Sequence, residues 1–127
     1  MIVVDASAVV LGLLNDGDAR ASLATDDLAV PHLVDSEVAQ ALRSQVLRNR
    51  VDARVAGRAL DHWARVGAKR YPTVGFLPRI WELRANVSAY DATYIALAEA
   101  LACPLLTADV RLAGAPGPTC PTVIVRR

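Results

Sequence analysis

The 127-residue sequence contains few of the residues that mark several common protein classes. Its two cysteines, Cys103 and Cys120, are too few for a disulfide-stabilised secreted domain, and we expect free thiols rather than a pair. Two isolated histidines, His32 and His62, form no zinc-binding cluster. No uncharged stretch reaches the roughly 18 residues of a membrane span, and no basic leader precedes the first apolar run. We therefore expect a cytoplasmic protein with no membrane association.

Several sequence motifs of enzymes are also missing. The chain has no G-x-G-x-x-G, no G-x-x-x-x-G-K-[ST] and no G-x-S-x-G, so nucleotide-cofactor enzymes and serine hydrolases lack their markers. The content of hydrophobic residues is nevertheless 54%, against 21% charged residues, which predicts a packed core. The length is typical of one domain, spanning residues 1–127.

The charges are unevenly distributed along the chain. Ten of the fourteen basic residues but only three of the thirteen acidic ones lie between positions 43 and 84. A basic segment of this kind suggests a polyanionic partner, although solvated helix faces produce the same composition. Arg54, Arg58 and Arg65 share one face of a helix, and Arg84 lies upstream of Asp91. These arginines, above all Arg54, Arg58 and Arg84, are the candidate contacts to a polyanion such as RNA.

Short apolar runs alternate with longer amphipathic or apolar stretches, which predicts an α/β fold with a parallel sheet between helices. The predicted strands are Ile2–Val4, Leu28–Val30, Tyr71–Val74, Pro104–Thr107 and Thr122–Val125. The predicted helices are Ala6–Leu14, a helix capped by Asp35 or Ser36 and ending near Arg48, Asp52–Val66, Pro78–Arg84 and Ala92–Ala102. The last of these is apolar nearly all round, so we expect it to be central.

Four acidic residues are predicted to lie at the carboxyl edge of this sheet, where open parallel sheets form their active sites. Asp5 directly follows the first strand, and Asp109 lies two residues after Thr107. Glu37 and Asp91 lie in the first turns of helices that run back from the same edge. Taken singly, Asp5 could simply cap a helix, and the other two could interact with a helix dipole. Together the four predict one acidic site.

Four carboxylates in one cleft repel one another unless protons or a cation neutralise them. Oxygen ligands favour hard ions, so we expect Mg²⁺, or else Mn²⁺, held by the same four catalytic residues. Such an ion suits the hydrolysis of a phosphodiester, because it activates water and neutralises charge on phosphate oxygens. Ser7 and Thr107 each lie two residues from one of the acids, where a hydroxyl could hold a water of the ion, although both are common cap residues.

Four segments resemble the acidic motifs of PIN-domain ribonucleases in their order and spacing. They are Ile-Val-Val-Asp-Ala-Ser-Ala at the N-terminus, Asp35-Ser36-Glu37-Val38, the stretch Ser88 to Ala98 that contains Tyr-Asp-Ala, and Leu106 to Leu112 that contains Thr-Ala-Asp. The length suits the VapC-like toxins of toxin–antitoxin pairs. The resemblance implies a single PIN-like domain with three α/β/α layers, a parallel sheet of four to five strands in the order 3-2-1-4-5, and Mg²⁺- or Mn²⁺-dependent endonuclease activity on RNA.

The resemblance further implies that Asp5, Glu37, Asp91 and Asp109 are the metal ligands, with Ser7 and Thr107 nearby. It also implies a homodimer restrained by a small cognate antitoxin. Val110 and Arg111 follow the fourth acid, where some relatives carry a further acid or amide.

Two other functions remain open from the residues alone. A phosphoacceptor domain of the receiver type also gathers aspartates around Mg²⁺, but it needs a lysine at a strand end, and the only lysine, Lys69, follows no predicted strand. A non-catalytic binding module on the same fold would keep the acidic edge without turnover.

Overall fold

The computed structural model describes residues 1–127, which form one parallel sheet of five short strands with helices packed around it. The strands are β1 (Ile2–Val4), β2 (Leu28–Pro31), β3 (Lys69–Tyr71), β4 (Leu105–Thr107) and β5 (Thr122–Ile124). Their order in the sheet is β3-β2-β1-β4-β5, and every neighbouring pair is parallel. This confirms the expected fold class and strand order. It also excludes the receiver type, whose doubly wound sheet has the order 2-1-3-4-5.

Seven helices connect these strands. They are α1 (Ala6–Leu14), α2 (Asp18–Thr25), α3 (Leu33–Leu47), α4 (Ala53–Arg65), α5 (Leu77–Glu82, preceded by a 3-10 turn at Val74–Phe76), α6 (Ala89–Leu101) and α7 (Val110–Ala113). Helices α1 to α4 pack against one another, and α5 packs on α6. Because crossovers between parallel strands are right-handed, connections that run in opposite directions from β1 place these two groups on opposite faces of the sheet.

The core lies where the central strands meet α6. Val3, Val4 and Leu105 are fully buried, as expected for strands covered on both faces. Every residue of α6 from Ala92 to Ala98 is also buried, which confirms the prediction of a central apolar helix. The N-terminus of α6 therefore has a fixed position relative to the ends of β1 and β4.

Helix α2 was not predicted, because its apolar pattern is weak. Arg20 supplies a reason for its stability: Nε donates to the Gly12 carbonyl at 2.9 Å, and a terminal nitrogen donates to the Leu13 carbonyl at 3.0 Å. The side chain thereby satisfies carbonyls at the C-terminus of α1, which have no partner inside that helix. Gly12 allows the close approach, since a Cβ there would lie 3.0 Å from the backbone carbon of Ala19.

Two predicted boundaries were wrong. Helix α3 begins at Leu33, so neither Asp35 nor Ser36 caps it; the Asp35 carboxylate instead accepts hydrogen bonds from Arg70 and from the indole of Trp63. Strand β3 lies earlier than predicted, over Lys69–Tyr71, because it pairs with β2 and is followed by Pro72, which has no N–H to donate. The short helix α7, which follows β4, was not predicted.

Two smaller features concern the cysteines and the lengths of the helices. Cys103 and Cys120 are free, as expected, with Cys103 buried and Cys120 half-buried. No helix has the combination of length and apolar character needed to cross a bilayer.

Candidate functional site

The four predicted acids lie at the carboxyl edge of the sheet. Asp5 follows the last residue of β1, and Asp109 follows β4, the neighbouring parallel strand. Asp91 is the third residue of α6, which runs back from this edge to β4. Glu37 is the fifth residue of α3, one turn further into its helix than predicted. The sheet therefore brings together residues that are more than a hundred positions apart, such as Asp5 and Asp109.

Asp5 is the most deeply buried of the four, with 5% of its surface exposed. Its Oδ1 accepts hydrogen bonds from the Ser7 hydroxyl at 2.6 Å and the Ala8 N–H at 2.9 Å, so it also caps α1. Its Oδ2 accepts a short hydrogen bond from the Thr107 hydroxyl. An ionised carboxylate has about four acceptor positions. Three are used within the protein, and one remains for a ligand.

Ser7 and Thr107 do more than flank the acids, since they connect the two strand ends. Their hydroxyl oxygens lie 3.3 Å apart. Ser7 Oγ accepts from the Ala108 N–H and Thr107 Oγ1 from the Asp109 N–H, both at 2.9 Å. The network fixes the chain after β4 against the start of α1, and thereby positions Asp109 relative to Asp5.

Glu37 is held by a residue that the sequence analysis did not single out. The Tyr94 hydroxyl donates to Glu37 Oε1 at 2.5 Å, and Tyr94 is almost fully buried. Burial and the neighbouring Glu37 carboxylate raise the pKa of Tyr94, which therefore remains a hydrogen-bond donor. Its position three residues after Asp91 places both on the same face of α6. That spacing was the available signal, hidden by the apolar character of the helix.

Asp91 and Asp109 line a cavity of about 270 Å³. The Ser88 hydroxyl caps α6 by accepting from the Asp91 N–H at 3.1 Å. Arg111, also on the cavity wall, lies with a terminal nitrogen 3.2 Å from Asp109 Oδ2, and its side chain is 89% exposed. Sequence reasoning noted Arg111 only as a departure from the family pattern. In the structure it is the basic residue that lines this cavity.

Burial raises the pKa of Asp5, Glu37 and Asp91 above their ordinary values, because the charged form loses solvation. Repulsion between carboxylates adds to this effect. The negative charge of Asp91 raises the pKa of Asp5, and the charges of Asp5 and Asp91 raise the pKa of Glu37. The charge of Asp109 in turn raises the pKa of Asp91. The four acids thus form one electrostatic group with excess negative charge, which a nearby cation would relieve.

The donor set fits a hard divalent cation, because it consists of carboxylate and hydroxyl oxygens. No three of the His, Cys, Asp or Glu side chains approach closely enough to chelate an ion unaided. Mg²⁺ is usually bound through one or two carboxylates while it keeps waters and contacts substrate phosphates. The residues present therefore fit Mg²⁺ or Mn²⁺ better than an ion that requires a closed protein cage.

The arginines predicted to contact RNA lie outside the acidic cavity. Arg54 and Arg58 are exposed on α4, and Arg54 follows the cap residue Asp52. Asp52 lines a cavity with Asn15, which ends α1, so Arg54 lies at the opposite end of α1 from Asp5. A contact between RNA and these arginines stays a prediction.

Arg84 is exposed between α5 and α6. Its guanidinium lies 4.8 Å from the centre of the Trp81 ring and donates to the Trp81 carbonyl at 2.9 Å. Its contact with RNA stays a prediction too. Two other bases of the central segment, Arg70 and Arg79, form internal ion pairs, which lowers the charge available to a partner.

Two comparisons with known proteins indicate the same protein family. A model of the PIN domain family matches residues 2–117. Ribonuclease VapC9 of Mycobacterium tuberculosis is 56% identical over 127 residues, which cover 100% of this chain and 100% of that protein.

Two solved structures are similar in fold. The crystal structure of PAE2754 from Pyrobaculum aerophilum has a TM-score of 0.67 and 27% identity, covering 87% of this chain and 81% of that one. The crystal structure of VapBC2 from Rickettsia felis, bound to a DNA fragment from the promoter, has a TM-score of 0.70. At 13% identity, covering 99% of this chain and 100% of that one, it supports the fold alone.

Proposed function

The chain belongs to the PIN-domain family and, within it, to the VapC ribonucleases, and from this we propose that it is an RNA endonuclease acting as the toxin of a toxin–antitoxin pair. The observation that carries the proposal is the convergence of Asp5, Glu37, Asp91 and Asp109 at one edge of the sheet, with raised carboxyl pKa values where burial is greatest. A cation held at such a site can support hydrolysis of a phosphodiester without a serine or cysteine nucleophile.

We propose that the four carboxylates hold Mg²⁺, with Mn²⁺ as the alternative, one or two of them directly and the others through waters of the ion. When bound, the divalent cation supplies the positive charge that activates water and neutralises charge on the phosphate. Asp5 is oriented by Ser7 and Thr107, and Glu37 by Tyr94, so neither carboxylate needs to reorganise when RNA binds. The exposed Arg111 side chain can swing from Asp109 towards a substrate phosphate.

A cognate antitoxin and a second copy of the chain complete the proposal. Membership of the VapC ribonucleases and the similarity in fold to VapBC2 support the antitoxin, and the resemblance to PIN-domain toxins implies the homodimer. A further support for the homodimer is an apolar surface that includes Val74, Leu77 and Trp81, whose exposed fractions are 74%, 53% and 67%. Light scattering of the purified protein should give twice the monomer mass; a monomer mass at micromolar concentration would contradict the dimer.

The experiment for the activity is cleavage of total cellular RNA by the purified protein, followed by mapping of the new ends. We expect discrete internal cuts with Mg²⁺ or Mn²⁺ and none with excess EDTA. Cuts that persist in EDTA would refute the divalent-ion mechanism. Binding of RNA without any cleavage under these conditions would favour the non-catalytic module.

Asp5→Asn gives a sharp test of the site, because the amide oxygen can still accept from the Ala8 N–H while the negative charge is lost. We expect it to abolish cleavage and to leave the circular dichroism spectrum unchanged. Asp61→Asn is the matched control, since Asp61 is an exposed aspartate on α4 outside the site. Equal loss of activity in both variants would contradict the assignment.

A further inference from the structure

A groove of about 500 Å³ leads away from the acidic site along α3. Ala6 and Glu37 lie in its wall, so it begins at the carboxylates. Its volume lies within the range of about 300–1,000 Å³ that is typical of ligand sites. The other lining residues are Leu33, Ser36, Gln40, Ala41, Ser44 and Tyr90.

The chemistry of the two walls differs. Ser36, Gln40 and Ser44 are four residues apart, so they form one polar stripe on α3. Ser36 and Gln40 are exposed and Ser44 is half-buried, so their polar groups are accessible to a ligand. Tyr90, at the start of α6, contributes an aromatic side chain that is 62% exposed.

The charge of the groove indicates which part of a substrate it accepts. No lysine or arginine lines it, so the groove has no cationic side chain to bind a phosphate. A flat, uncharged group with hydrogen-bonding edges suits the groove better: its face can stack on an aromatic ring, and its edge can pair with an amide that both donates and accepts. Nucleobases of single-stranded RNA have these properties.

We infer that this groove is the subsite for the base of the nucleotide next to the cleaved phosphodiester, with Tyr90 stacking on the base and Gln40 reading its edge. The inference rests on the proposed function, since it places the scissile phosphate at the carboxylates. Gln40 then determines specificity at one position of the RNA, while Tyr90 contributes affinity for any base.

The test is cleavage of an RNA library with randomised positions around the cut, read by sequencing of the products. Wild-type protein should prefer certain bases at one position adjacent to the cut. Gln40→Ala should reduce that preference by about fivefold or more, while the base preferences at the other positions of the recognition sequence remain unchanged. Gln45→Ala is the matched control, because Gln45 is on the same helix but lines a different cavity.

Tyr90 gives a second readout. Tyr90→Ala should lower kcat/KM about tenfold on all sequences, mainly through KM, and Tyr90→Phe should restore it because the ring remains. Thermal melting of each variant shows whether it is folded.

The outcomes separate this inference from the activity itself. Wild-type protein that cuts without preference beside the cut, or Gln40→Ala with the wild-type preference, overturns the subsite and leaves the proposed function intact. Wild-type protein that does not cut RNA at all overturns both.

Discussion

Glu99 is the acid in α6 that lies outside the candidate site, and its replacement gives a quantitative test of the fold. Its carboxylate accepts hydrogen bonds from Arg79 at 2.7 and 3.0 Å and from the N–H and hydroxyl of Thr119 at 2.8 and 2.9 Å. Only 13% of its side chain is exposed. These partners lower the pKa of Glu99 from 4.5 to about 2, and the hydrogen bonds from Arg79 have the largest effect. The ion pair with Arg79 thus joins α5 to α6, and the hydrogen bonds from Thr119 join α6 to the loop before β5.

We expect Glu99→Gln to reduce the free energy of unfolding by about 2 kcal/mol at pH 7. The full displacement of the pKa corresponds to roughly 3 kcal/mol, which is an upper bound because Arg79 remains 30% exposed and solvent screens the pair. For a chain of this length the melting temperature should fall by about 7 °C. Glu82→Gln is the control: Glu82 also contacts Arg79, but its side chain is 65% exposed, and we expect a loss below ~1 kcal/mol.

The effect of Glu99 on the free energy of unfolding depends on pH in a predictable direction. Because the pKa of Glu99 is lower in the folded than in the unfolded state, its stabilising effect is complete above about pH 4.5 and disappears as the pH falls towards 2. The difference in stability between wild type and Glu99→Gln should therefore shrink to roughly half near pH 3.5. Urea denaturation across this range measures it. Equal midpoints at pH 7, or a difference that does not change with pH, would refute the reasoning.

Further substitutions test three other contacts. Gly12→Ala should cost about 1–3 kcal/mol, since the new Cβ would lie 3.0 Å from the backbone carbon of Ala19 as well as 2.7 Å from the Leu23 side chain, both on α2. Gly57→Ala, in open space on α4, should instead add ~0.5–1 kcal/mol, and equal denaturation midpoints of the two variants would contradict the packing of α1 on α2. Tyr94→Phe should lower kcat about tenfold with KM unchanged, because Glu37 loses the hydroxyl that orients it; an unchanged kcat in steady-state cleavage assays would remove that role. Asp35→Ala should destabilise the fold by about 1–3 kcal/mol, because it leaves a buried tryptophan N–H without its acceptor, and a calorimetric melting curve identical to wild type would disprove this.

The sequence was sufficient for the elements whose pattern is local. The buried strands β1 and β4 are short apolar runs, and α6 is apolar nearly all round. All three elements were therefore recognisable without knowledge of their neighbours. The parts that were missed depend on tertiary contacts. Helix α2 is stabilised by an arginine that reaches back to α1. Helix α3 begins before Asp35, whose carboxylate binds Arg70 and an indole that lie 35 and 28 positions away instead of capping the helix.

The positions of the four acids followed from one rule, that parallel strands end at the same edge of a sheet. The residues that orient them were harder to predict. Tyr94 lies in a helix whose composition suggested only core packing, and its hydroxyl meets Glu37 from 57 positions away. Arg111 lies in the short helix α7, two residues after Asp109, and nothing in the local sequence indicates that it lines the cavity. Such pairs depend on how α3, α6 and the end of β4 pack together.

The most direct test of the central claim is an amide NMR spectrum recorded during titration with Mn²⁺, whose unpaired electrons broaden the signals of nearby residues. We expect the signals of residues 5–8, 37, 91 and 107–109 to broaden together at the lowest concentrations, and those around Asp61 on α4 to stay sharp. Broadening that is confined to one of these segments, or that begins elsewhere on the surface, would contradict a shared cation site at the edge of the sheet.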